Sequence, residues 1–234
     1  MRWVRDNTDK IGDLLVSHLW LSVVPIVLGF AIALPIGWFA SRHPRLKGVL
    51  LTFAGVLYTI PSLAFFLILP SIIGTGFLSP LNVVVALTVY AVAIMVRSAT
   101  DAFESVSPAV LDAATATGFA PAGRAFLVEL PLAGPVLVAG LRVVAVSTVS
   151  LVSVGALTGV SNLGSLFTEG YRTDNDAEIL TGVVGIVAIA LLLDALIVVA
   201  GRVLLPWNRG PRSSVRSPVS PMMSFAQHLR GGRA

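Results

Sequence analysis

Between Lys47 and Arg97 the chain runs for 49 residues without a single Asp, Glu, Lys or Arg. About 20 apolar residues in an α-helix cross the hydrocarbon core of a bilayer, so this stretch can cross it twice. Composition agrees over the full 234 residues: 56% are hydrophobic and only 12% charged, against about 25% charged in soluble domains. The fold class is therefore an all-α integral membrane protein. The absence of cysteine removes disulfide frameworks, thiolate zinc sites, iron–sulfur clusters and cysteine nucleophiles together. The net charge of +4 does not point to nucleic acid, because the basic residues lie between apolar spans and in the tail, where topology accounts for them.

Five apolar stretches stand out at about 19–40, 48–73, 80–96, 134–158 and 179–201. With five spans, Arg42, Arg45 and Lys47, the 97–131 segment with Arg97 and Arg124, and the tail with Arg202, Arg209, Arg212 and Arg216 share one side. The positive-inside bias makes that side cytoplasmic and puts the N-terminus outside. The expected organisation is an extracellular segment at 1–18, a transmembrane domain at 19–205 and a disordered cytoplasmic tail at 206–234. Segment 97–131 carries six charges, which argue for a cytoplasmic loop rather than a sixth span. The first apolar run exceeds a signal-peptide core and ends at Trp38 and Phe39 without a small-x-small site, so retention is expected. The tail, rich in Arg, Ser, Pro and Gly, has a composition suited to disorder and to anionic lipid. No internal repeat is evident, which weighs against a transporter of two inverted halves.

Within 97–131, Ser107-Pro108 offers a helix start and Gly118 a stop; a second short helix from about Pro121 to Leu130 is expected to end at Pro131. Val110, Ala113, Ala114 and Thr117 fall on one face at spacings of three and four. Such a face suits docking on another protein, but an ordinary interfacial hairpin has the same pattern.

The order Asp112-Ala113-Ala114, three residues, Gly118, nine residues, Val128-Glu129-Leu130-Pro131 resembles the EAA loop of ABC importer permeases, with Asp for the first Glu and Val for Ile. The motif spans 20 positions, and the resemblance covers about residues 14–205. Upstream, Tyr58-Thr59-Ile60-Pro61-Ser62-Leu63-Ala64 resembles the matching run in permeases for glycine betaine, choline, carnitine and proline-type osmoprotectants.

The resemblance implies a MetI-like permease core of about five transmembrane helices in a bacterial inner membrane. It also implies pairing with a second copy or homologue, and a coupling helix docked on a cytoplasmic ATPase dimer. By residue, Asp112 would make a polar contact, Ala113 and Ala114 the close packing and Gly118 a tight turn, with Pro131 closing the motif. A Walker A loop needs Gly-Lys-Ser/Thr, and the only lysines, Lys10 and Lys47, follow Asp9 and Leu46. ATP and its magnesium are then expected in the partner ATPase, with no cofactor on this chain, and solute capture in a separate extracellular or periplasmic binding protein.

Inside the spans, Arg142 lies roughly 12 Å and Asp194 roughly 15 Å from the cytoplasmic helix ends at about 1.5 Å per residue. An ion pair fixing the last two spans is expected, with a substrate or proton role as the alternative. Pro61 should kink the second span and free a carbonyl near Leu57. A quaternary ammonium is attracted to aromatic faces, so Tyr58, Phe65, Phe66 and Tyr90, with Pro61 and Ser62, are candidate pathway residues; packing is the plainer role. Trp20, Trp38 and Trp207 suit interfacial belts.

Gly155, Gly159 and Gly164 suggest a break or re-entrant turn at the outer end of the fourth span. The outer Asp174, Asp176 and Glu178 suit either a docking binding protein or solvation. An intramembrane serine protease would need a Ser–His pair at depth, and His18, His43 and His228 are all expected outside the spans; no His/carboxylate set has metal-ligand spacing within one. The remaining rival is an importer permease for another small solute, such as an amino acid or methionine.

Overall fold

The computed structural model describes residues 2–208, and all regular structure among them is helical. A short α1 (Arg2–Asp6) precedes α2 (Thr8–Arg42), α3 (Pro44–Thr59), α4 (Ser62–Ile73) and α5 (Pro80–Glu104). Next come α6 (Pro108–Ala116), α7 (Pro121–Arg124), a π-helical turn (Ala125–Glu129) and α8 (Leu130–Val152). A 3₁₀ turn (Ser153–Thr158), α9 (Ser165–Arg172) and α10 (Asp176–Leu204) lead to a last 3₁₀ turn at Pro206–Asn208. The tail residues Arg209, Arg212 and Arg216 lie outside the described residues.

Four helical runs are long and apolar enough to span: Thr8–Arg42, Pro80–Glu104, Pro121–Thr158 and Asp176–Leu204; α3 and α4 together make a fifth, bent by 101°. This bend corrects the expectation of one kinked second span. Pro61 precedes the first residue of α4, where its missing N–H costs no helical bond. The Leu57 carbonyl is not freed, since it accepts the Ile60 N–H at 3.3 Å. It is the Ile60 carbonyl that takes a side-chain partner, the Tyr90 hydroxyl at 2.6 Å.

Helix limits also run past the hydropathy limits. α2 begins at Thr8, so residues 8–18 are helical and continuous with the first apolar run. α5 runs to Glu104, taking Arg97 and Asp101 into the helix. His18 is not outside the spans: it is fully buried on α2, with Nε2 3.1 Å from the Val149 carbonyl oxygen. The second short helix does not stop at Pro131 either, because Pro131 lies in the first turn of α8, where proline is tolerated.

Small residues bring α2 and α5 together in parallel. A Cβ on Gly29 would sit 2.4 Å from the Ala91 Cβ, and one on Gly37 2.5 Å from the Ala99 Cβ and 2.9 Å from the Ala99 carbonyl carbon. The equal eight-residue intervals on both helices form a seam of close backbone approach, the usual way to pack helices where lipid offers no hydrophobic drive. The buried core continues from this seam to α8 through Met95, Leu137, Val144 and Val149. α3 contributes only Ala54 to the buried set, and α4 contributes Phe66, Leu69 and Pro70.

Candidate coupling loop and translocation face

The loop between α5 and α8 is built around α6. Ser107 precedes Pro108 at the first helical position, where the fixed φ of proline suits a helix start. Gly118 ends the unit at φ 91°, a left-handed conformation that glycine adopts without penalty. Asp112 and Ala113 are exposed, whereas Ala114 is buried within the chain, so the small-residue face is split between an outer and an inner side. Ala114 is the only residue that α6 buries.

What fastens this loop is Glu129, whose side chain is 4% exposed. Its carboxylate accepts hydrogen bonds from Arg42 Nη2, from Arg124 Nε at 3.0 Å and from Trp38 Nε1 at 3.0 Å. Arg42 also lies over the Trp38 ring, 4.4 Å from its centroid. Arg124 extends the cluster by donating from Nη1 to the Thr115 hydroxyl at 2.8 Å. One buried carboxylate thus joins the C-terminal end of α2, the start of α8 and, through Arg124, α6. None of these roles follows from the sequence reading, in which Arg42 and Arg124 set topology and Trp38 serves an interfacial belt. The available signal was the glutamate inside Val128-Glu129-Leu130-Pro131, an acid in an otherwise apolar run.

On the other face, the structure gathers three of the pathway aromatics around the broken span. Tyr90 meets Tyr58 edge-on with centroids 6.0 Å apart and Phe65 with centroids 5.7 Å apart. Phe66 makes no ring contact with them, although it and Tyr90 are both buried in one core cluster, 1% and 3% exposed. Pro61 is exposed and Ser62 half-buried at the corner itself. Tyr58 lines a groove of about 350 Å³ shared with Gly55, Arg97, Ser98, Val143 and Ser147. Arg97, one residue beyond the end of the expected third span, therefore shares a groove with Tyr58.

Arg142 and Asp194 come together across α8 and α10, with Nε to Oδ1 at 2.6 Å and Nη2 to Oδ2 at 2.9 Å. The side chains are 47% and 25% exposed, so the pair lies at the chain's surface rather than in its core. At the other end of α10, Glu178 is buried and accepts from Lys10 Nζ at 3.0 Å. That pairing removes Glu178 from the outer docking set. Gly155 lies in the 3₁₀ turn against Val83, and Gly159 turns at φ 85°, so Gly155 and Gly159 are not on a helix–helix face. Among the described residues no group of three His, Cys, Asp or Glu side chains is placed to hold a metal ion.

The fold is a bundle of helices of membrane-spanning length and hydropathy that carries a short exposed helix on a charged clasp. The chain belongs to the family of binding-protein-dependent transport system inner membrane components, whose model matches residues 21–210. It is 31% identical to the osmoprotectant import permease protein OsmW of Salmonella typhimurium, over 84% of this chain and 93% of that one. It is 28% identical to the choline transport system permease protein OpuBB of Bacillus subtilis, over 83% and 90%. The fold superposes on a chain of the inward-facing MetNI methionine ABC transporter with a TM-score of 0.70 at 22% identity, covering 83% of this chain and 94% of that one. The chain is accordingly an ABC importer permease of the inner membrane rather than an enzyme, working with a separate ATPase and a solute-binding protein.

Proposed function

We propose that this permease carries a small osmoprotectant bearing a quaternary ammonium, such as glycine betaine, choline, carnitine or proline betaine. The observation that carries the reading is the cluster of Tyr58, Phe65 and Tyr90 at the Pro61–Ser62 corner, opening beside the Arg97 groove. Aromatic faces attract an onium group through the ring quadrupole, and a guanidinium can pair with the carboxylate of a betaine. The names of the relatives support the same solute class.

In this reading the path runs along the interface with a second copy or a homologous permease. Asp112, Ala113 and Gly118 dock on one subunit of the ATPase dimer, Ala114 seats the helix on its own chain, and Pro131 sets the return into the membrane. ATP and magnesium bind there and not on this chain. The loaded binding protein docks on the opposite side, where the N-terminus lies, and the last span ends on the cytoplasmic side. The Arg142–Asp194 pair holds α8 to α10.

Uptake of radiolabelled glycine betaine, choline and methionine into proteoliposomes holding the complete transporter tests this. Uptake of an onium solute, with KM raised in Tyr58→Leu, is the expected result. Methionine uptake without glycine betaine or choline uptake would overturn the solute assignment.

A further inference from the structure

The coupling helix α6 barely packs on its own chain, since Ala114 is its only buried residue. The turn that follows it contains Gly118 at φ 91°. Held only by its chain ends, such a helix would move under a push without delivering that push to the membrane. Movement is passed on by packed or hydrogen-bonded elements that behave as one body.

The described residues supply such a connection at Glu129. Thr115 on α6 accepts from Arg124, Arg124 donates to Glu129, and Glu129 also accepts from Arg42 and Trp38 on α2. Bonds between ionised partners are short and strong, and an ionised carboxylate accepts at several sites around its two oxygens. Glu129 is almost fully buried, so each donor is held in a setting where an unpaired charge is costly. The π-helical turn at Ala125–Glu129 winds the chain wider just before α8, the kind of insertion that re-aims a side chain at functional sites.

We propose that Glu129 is a positioning residue of energy coupling. It clamps α6 to the cytoplasmic end of α2, so that a displacement of the coupling helix by the ATPase moves the first span as part of the same body. Arg124 and Thr115 form one arm of the clamp, Arg42 and Trp38 the other. The proposal rests on the permease assignment and is independent of the solute.

The test uses the full transporter with its ATPase, spin-labelled at His43→Cys beside α2 and Ala116→Cys on α6. The chain has no cysteine of its own, so the permease adds no background thiol and can carry its labels before assembly with the ATPase. In the otherwise unaltered protein, the label distance is expected to be the same in the nucleotide-free and ATP-trapped states. In Glu129→Gln, still bound to the ATPase, the distance should shift or broaden when ATP binds. Stimulation of ATP hydrolysis by the loaded binding protein should also fall at least about fivefold, the low end of coupling between sites. A role in folding alone would not give a nucleotide-dependent distance. An unchanged distance in Glu129→Gln, or one that already changes with nucleotide when Glu129 is intact, overturns the proposal. If Glu129→Gln fails to assemble, Thr115→Val replaces it: this cuts only the exposed arm, and a nucleotide-dependent shift supports the clamp while a fixed distance overturns it.

Discussion

The Glu129 end of the molecule and its broken second span are held together in opposite ways. At the Glu129 end, two guanidinium groups and an indole N–H converge on one carboxylate, and Lys47 reaches Glu104 at 2.7 Å. At the α3–α4 corner, one side-chain hydrogen bond, from the Tyr90 hydroxyl to the Ile60 carbonyl, ties the bend to α5, and α3 buries only Ala54. The difference fits the work that the proposed function asks of each region. A part that receives force must resist deformation, whereas a part that lines a changing path can be lightly held, because regions with few buried contacts open at low cost.

Breaking the stiff region should have the largest effect. Glu129→Ala leaves Arg42 and Arg124 without their shared acceptor and is expected to destabilise the permease by about 3 kcal/mol, read as a lower unfolding midpoint in detergent. Next comes a paired substitution that sharpens the contrast. Gly37→Ala drives a Cβ to 2.5 Å from the Ala99 Cβ and 2.9 Å from the neighbouring backbone, and should cost about 1–3 kcal/mol through overpacking. Gly55→Ala on α3 meets nothing within 4 Å and should be neutral or stabilising by up to about 1 kcal/mol from helix propensity. Equal losses at the two glycines would erase the distinction between seam and corner.

Tyr90→Phe removes the one hydroxyl holding the corner. A cost of about 1 kcal/mol is expected, with faster hydrogen exchange confined to residues 57–66; faster exchange throughout α5 would mean that the bond serves the core instead. The smallest effect should come from Arg142 and Asp194, because Gln and Asn keep hydrogen-bonding groups in place and Arg142 opens onto a groove shared with Arg202 and Asn208. Arg142→Gln and Asp194→Asn should each lower the unfolding midpoint slightly, and the double variant should lower it by less than the sum. Strict additivity would show that the two groups are not coupled.

The order of the long apolar helices was legible because apolar runs of 20 residues have few other uses; four are single helices and the second run is the bent pair α3–α4. The start of α6 at Ser107-Pro108 and its stop at Gly118 were legible from local backbone chemistry, as was the reach of Arg142 to Asp194 from depth along two helices. The 101° break at Ile60–Pro61 was not legible, since a hydropathy window averages across a corner whose residues are apolar on both sides. Charged helix ends were cut short for a related reason: Arg97 and Asp101 are poor in hydropathy yet continue α5. Glu129 was hidden by distance in the chain, its partners Trp38 and Arg42 lying 91 and 87 residues away. The local signal, an acid in an otherwise apolar run, does not tell which distant groups it meets.

The central claim is that this permease is driven by a separate ATPase through the 108–131 segment. It is tested most directly by purifying the permease in mild detergent from its host, beside a Gly118→Arg variant, and identifying the co-purifying chains by mass spectrometry. A side chain at φ 91° is strained, and arginine adds bulk to the proposed docking surface. The account predicts an ATPase subunit with the unaltered permease and its loss from the folded variant. No ATPase with either form, or the same ATPase with both, would contradict it.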